Sequence, residues 1–175
     1  MVPLSEYATV SEGDTLYEAV IALEKAQEEF DPARYRHRAI LIMDAGGQVV
    51  GKISQTDILR ALEPKYEKML ERENLAHSGL TRGFMKSLMS HYDLWGGAML
   101  DICKKAAGQR VKDFMRAPAD GEFIDATATL DEAIHQLVVG GDQSLLVHRG
   151  GAIVGILRLT DVFAAVFEAI KACAL

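Results

Sequence analysis

Apolar and polar positions follow one order twice along this chain. The first pass begins with a short apolar run, ATV, at residues 8–10. From Leu16, the apolar positions Leu16, Ala19, Val20 and Leu23 recur at i, i+3, i+4 and i+7, which predicts a helix with one buried face. Thr15 and Glu18 stand at its start in the spacing of a capping box, where the threonine accepts from the helix and the glutamate reaches back. Then come AILIM (39–43) and QVVGKI (48–53) around the turn DAGG, two apolar runs about a glycine turn that read as a β-hairpin. A second helix starts near Gln55.

The second pass has the strand EFI (122–124), a helix behind Thr129 and Glu132, the runs SLLV and AIVGIL around HRGG, and a last helix from near Leu159. Each pass is therefore strand–helix–strand–strand–helix. Near-continuous apolar strands imply a sheet covered by helices.

The two passes are an internal repeat. TLYEA at Thr15 matches TLDEA at Thr129, an offset of 114 (129 less 15). GGQVVGKISQTD from Gly46 matches GGAIVGILRLTD from Gly150, an offset of 104 (150 less 46). Repeat one thus carries a ten-residue insertion, expected around EKAQEEFDPARYRH. The fold class is α/β (α+β): two β-α-β-β-α repeats packed as a pair, with a long helical insertion between them. The expected boundaries are 1–62 for repeat one, 63–110 for the connecting segment and 111–175 for repeat two.

In the connecting segment, LEPKYEKMLERENLAH predicts a charged helix and SGLTRG a turn or restart. FMKSLMSHYDLW predicts another helix with Leu80, Phe84, Leu88 and Trp95 on one face, broken or kinked by Gly96 and Gly97 before AMLDICKKA. Five methionines between Met69 and Met115 suit packing at a helix interface.

Composition narrows the function. The 175 residues carry a net charge of −6 and a sequence pI near 5.4, which argues against nucleic-acid binding because phosphate backbones repel an acidic chain. The N-terminus reads as no secretory signal and no run is long enough for a membrane span, so the expectation is a cytoplasmic protein without membrane insertion. Cys103 and Cys173 have neither redox nor zinc spacing and are expected as reduced core thiols. No metal-ligand spacing, nucleophile elbow or P-loop appears, so no catalytic residue, metal or required cofactor is assigned.

The element GKISQTD, Gly51 to Asp57, opening the last helix of a repeated β-α-β-β-α unit, resembles the CBS domain family. The family pattern is Gly, two apolar residues, Ser or Thr, two variable residues and Asp; repeat one departs from it only at Lys52. VKDFM, at 111–115, is similar to the family's lead-in to a second domain. The resemblance implies an adenosine-containing ligand, namely AMP, ADP, ATP or S-adenosylmethionine, and a regulatory, energy-sensing role beside an unknown regulated partner. It gives Asp57 the ribose hydroxyls and Ser54 a phosphate, with Thr56 between them, Thr9 and Val10 as the wall along the first strand, and Ile124 as their counterpart. In repeat two Arg158 replaces the hydroxyl, while Thr160 and Asp161 remain. Arg158 pairs with a phosphate, fills the site itself, or serves a ligand held by repeat one, since the two sites of such a pair face one cleft.

Plainer readings stand beside these. Ser54 and Asp57 also fit a helix capping box. Arg34, Arg36, His37 and Arg38 form a basic run that is either a solvated turn or, through His37 or Arg38, a phosphate neighbour. His91, Tyr92 and Trp95 fit a packed helix face. The competing function is a ligand-free scaffold for dimerisation or partner docking. A homodimer is expected through the second helices, where Ile58, Leu59, Leu62, Val162, Phe163, Val166 and Ile170 offer more apolar surface than one sheet needs.

Overall fold

The computed structural model describes residues 1–29, 36–72, 81–96 and 101–172. Arg34, Leu80, Gly97, Met99 and Cys173 lie outside them, as does part of the expected insertion.

Repeat one contains β2 (Thr9–Ser11), α1 (Leu16–Glu28), β3 (Ala39–Met43), β4 (Val49–Ser54) and α2 (Gln55–Leu62). Repeat two contains β5 (Phe123–Asp125), α6 (Leu130–Gly140), β6 (Ser144–Arg149), β7 (Ala152–Arg158) and α7 (Leu159–Ala172). Both first helices open on a complete capping box, Thr15 with Glu18 and Thr129 with Glu132. Both hairpins are antiparallel, and each first strand pairs parallel to the strand after its helix. The first helices begin 114 residues apart (130 less 16), β3 and β6 begin 105 apart (144 less 39), and β4 and β7 end 104 apart (158 less 54). Nine of the ten extra residues therefore fall where expected, and the tenth lies in the hairpin turn of repeat one.

The repeats exchange strands. A leading strand, β1 (Val2–Pro3), pairs antiparallel with β7 of repeat two, Val2 opposite Ile156. In return, Arg116 from the lead-in to repeat two bridges Lys52 of β4. The two pairings obey the repeat offsets: Arg116 is 114 beyond Val2, and Ile156 is 104 beyond Lys52. Gly51 and Gly155 occupy equivalent places beneath the exchanged segments, where an added Cβ would meet the Met115 side chain and the Val2 carbonyl oxygen respectively.

Strand alternation sorts the core. Ile40 and Ile42 of β3 face α1 with Ala19, Leu23 and Ile53. Leu145 and Val147 of β6 face the helices of repeat two with Ala133, Leu137 and Val162. Leu41 and Leu146 point the opposite way, into a shared layer with Val2, Tyr7 and Ile156. The strands are apolar on both faces because helices cover one face, as expected, while the opposite repeat covers the other.

The connecting segment forms α3 (Lys65–Arg72), α4 (Arg82–His91) and α5 (Ile102–Gly108). The helix expected to run to Trp95 stops at His91. Asp93 and Trp95 then adopt positive φ, 49° and 63°, which ends the helix although the apolar spacing continues. Buried Glu63 holds this turn by accepting from the backbone N–H of Trp95 at 2.7 Å. The indole N–H of Trp95 donates to the Tyr66 hydroxyl at 3.1 Å. Leu88 is buried with Met69 and Leu94, whereas Phe84, Met85 and Met89 are exposed, so the expected packed stripe and methionine interface are only half made. Cys103 is exposed rather than in the core. Among the described residues no helix is long and apolar enough to cross a membrane.

Candidate functional site

The pseudo-symmetric pairing brings the starts of α2 and α7 to one cleft of about 500 Å³. Ser54, Gln55 and Thr56 line it from repeat one, and Arg158, Leu159 and Thr160 from repeat two. Tyr7, Arg36, Arg38, Lys52 and Arg116 complete its polar wall, with Asp142 the one carboxylate among the lining residues. Helix N-termini carry partial positive charge, so two of them beside five cationic side chains make the cleft suited to an anion. The volume falls within the range of small-molecule sites, roughly 300–1,000 Å³.

In repeat one the motif residues also cap α2. The Ser54 hydroxyl donates to Asp57 Oδ2 at 2.6 Å and accepts from the Asp57 N–H at 3.2 Å. The Ser54 N–H donates to the same Oδ2 at 2.8 Å. Among the described residues Asp57 Oδ1 has only a long ion pair, 3.7 Å to Arg60. Asp57 lines the neighbouring cleft, which it shares with Arg60, Phe114 and Arg116, rather than the one holding Ser54 and Thr56. It stands on the ridge between the two, and Arg116 reaches both.

Repeat two is closed at the matching place. Arg158 Nε donates to Asp161 Oδ2 at 2.8 Å and Nη2 to Oδ1 at 2.5 Å, so both carboxylate oxygens are taken. Burial alone would raise the Asp161 pKa; the hydrogen bonds and charge of Arg158 more than offset it and hold the carboxyl below its ordinary value. The Arg158 side chain thus lies across its own motif aspartate.

Lys52, the one departure from the family pattern, has a partner seventy residues away: its ammonium donates to the buried Glu122 carboxylate. Arg116 donates to both oxygens of Glu122, at 2.6 and 3.1 Å, and the Ala119 N–H adds a bond at 3.1 Å. Burial pushes the Glu122 pKa up, and these donors pull it net below the usual carboxylate range. The triad ties β4 of repeat one to the lead-in of repeat two at the cleft floor.

Other expected site residues lie elsewhere. Thr9 is exposed on β2 and Val10 is in the repeat-one core, while Ile124 is in the repeat-two core. His37 is buried with its ring edge-on to Tyr7 at 4.5 Å, so the basic run alternates outward Arg36, inward His37, outward Arg38. Burial pushes the Tyr7 hydroxyl up to about 12, so it stays a protonated donor in the wall. Lys52, Arg116 and Tyr7 were not anticipated as lining groups. Arg116 stands opposite Lys52 as Val2 stands opposite Ile156, a pairing the structure alone reveals.

The sequence model of the CBS domain matches residues 2–64 and 111–168. No curated protein matches the chain. Among solved structures, the CBS-pair protein CBSX2 from Arabidopsis thaliana is 17% identical, with 99% of this chain and 94% of that one covered and a TM-score of 0.61. A structure of CBSX2 in complex with AMP aligns at 16% identity, 97% and 94% coverage and a TM-score of 0.58. The cytosolic domain of the Mg2+ channel MgtE in complex with ATP aligns at 16% identity over 94% of this chain and 46% of that chain, with a TM-score of 0.55.

Proposed function

The chain belongs to the CBS domain family, and from that premise we propose that it is a regulatory module that binds an adenosine-containing ligand and signals its presence to a partner protein. The ligand class is AMP, ADP, ATP or S-adenosylmethionine, the setting is the cytoplasm, and the role is regulatory rather than catalytic. One observation carries this reading: two helix N-termini and five cationic side chains converge on a single cleft between the repeats. The AMP complex of CBSX2 and the ATP complex of MgtE, which share the fold, support it. Asp57 is the better anchor because its Oδ1 is open to a ribose hydroxyl, whereas Arg158 occupies both oxygens of Asp161.

A second reading, a ligand-free scaffold for dimerisation or docking, has its own observation: Ser54 and Asp57 already satisfy one another as a cap.

Calorimetric titration of AMP, ADP, ATP and S-adenosylmethionine separates the two. At least one ligand binds the intact chain, and Asp57→Ala weakens it at least about tenfold, since a charge-assisted hydrogen bond contributes about 1.5–3 kcal/mol. Asp57→Asn retains cap acceptors and guards against a folding defect. Absence of binding at millimolar ligand leaves the scaffold reading in place.

A further inference from the structure

We infer that a second, apolar groove, between α2, α3 and α4, binds a long-chain carboxylate: a single hydrocarbon tail with an anionic head. This site is separate from the cleft between the repeats and does not depend on the nucleotide reading.

The groove encloses about 690 Å³, within the range of small-molecule sites, roughly 300–1,000 Å³. Most of its wall comes from the connecting segment rather than from either repeat. Its floor is built without a ligand. Met69, Leu88 and Leu94 are buried together there, and the turn carrying Trp95 is held by Glu63 and Tyr66. Its rim differs: Leu70, Met85 and Met89 are exposed. Met85 and Met89 stand four residues apart, on one face of α4. Unbranched thioethers adapt their shape to a neighbour, which suits a flexible hydrocarbon tail. The enclosed volume and the buried floor favour a tail entering the groove over a broad partner surface lying across it.

Charge decides the head. Arg60 of α2 and Lys86 of α4 line the groove, and no carboxylate joins them among the described lining residues. The chain as a whole carries a net charge of −6, so the local sign runs against the average. Lys86 is exposed and has no ion pair among the described residues. Arg60 has only the 3.7 Å contact with Asp57, and its side chain is more than half exposed. An anionic head gains from both charges, whereas a cationic head is repelled. The tail leaves water for the groove, and each methylene it buries adds to the affinity.

The experiment titrates sodium dodecanoate, kept below its micelle concentration, into the full chain without nucleotide. Hexanoate is the short-tail comparison and dodecyltrimethylammonium the opposite-charge one. Binding is followed by calorimetry and by the emission of Trp95, the single tryptophan. Dodecanoate is expected to saturate at a single molecule per chain and to shift the emission to shorter wavelength. Hexanoate binds at least about a hundredfold more weakly, and dodecyltrimethylammonium at least about tenfold. Lys86→Glu, at an exposed position, cancels the preference for the anionic head. Met89→Glu weakens dodecanoate at least about tenfold, and unchanged circular dichroism shows that each variant is folded. Absence of saturable dodecanoate binding, equal affinity for both heads, or a preference unmoved by Lys86→Glu overturns the inference. So does a fall in solution mass with Met89→Glu, which makes the groove a contact between two copies. Each of these results leaves nucleotide binding at the other cleft to its own titration.

Discussion

The carbonyl oxygen of Val2 occupies the space in which a residue at 155 would carry its Cβ, so Gly155 is the only residue type that admits the exchanged strand at this spacing. At the equivalent Gly51 the neighbour is a side chain instead, with Met115 Sδ 2.6 Å from the ideal Cβ. A thioether rotates away; a strand backbone must shift. Gly155→Ala is therefore expected to destabilise by about 1–3 kcal/mol. Gly51→Ala stays within about 1 kcal/mol of the wild type, helped by the lower entropy of its unfolded chain. Denaturant unfolding of both variants checks the difference.

Glu122 joins two cations, and Lys52 is buried with it. Glu122→Gln strands the Lys52 charge and is expected to cost about 3–5 kcal/mol, while adding Lys52→Met recovers much of that loss. Both measurements come from urea denaturation at neutral pH. The triad also sets a pH dependence. The Glu122 and Asp161 pKa values are depressed in the fold, so their contribution is fully present above the unfolded carboxylate value, about 4, and is lost as pH falls through the folded one. Stability declines below about pH 4, more steeply in the wild type than in Glu122→Gln.

Trp95 reports on the connecting segment. Its ring packs beside Leu88 and Leu94 and its indole N–H is bonded to Tyr66, so its emission is expected to be blue-shifted from that of indole in water. Glu63→Ala removes the acceptor that holds the Trp95 backbone. Emission should then move to longer wavelength and iodide quenching should rise, with little change in the signal of the repeats.

The seven helix residues expected at a dimer face divide in three, with Ile58 and Val166 half-buried between the extremes. Leu62 and Val162 are buried within the chain, whereas Leu59, Phe163 and Ile170 are 54%, 61% and 64% exposed. Phe167 joins them, its ring stacked on Phe163 at 6.5 Å. A homodimer built on this exposed set is expected, and Phe163→Asp should convert it to a monomer in light scattering at micromolar concentration. A monomeric wild type would rule it out.

Local signals were the legible ones. Thr15 with Glu18, Thr129 with Glu132 and the glycine turns act within a few residues, so their helices and hairpins could be placed from sequence. The exchanged strand was not legible: Val2–Pro3 is too short to show alternation, and its partner lies more than 150 residues away. The stop at His91 depends on Glu63 reaching across from the turn between α2 and α3. Of the cleft residues, Ser54, Thr56, Arg158 and Thr160 were visible through motif and repeat, and Arg38 through the basic run before β3. Lys52 looked like a blemish in the motif because Glu122, which justifies it, belongs to the other repeat.

The reciprocal strand exchange makes neither half complete. Severing the backbone between α3 and α4 would not divide the molecule into two autonomous sheets, since the first half would still hold the edge strand of the second and the second would hold the residue that closes the first. Two fragments produced separately would each expose an open sheet edge fitted to the other. The pair is thus a natural split protein, in which reassembly of the fragments would rebuild the cleft and the cleft would form only when both are present.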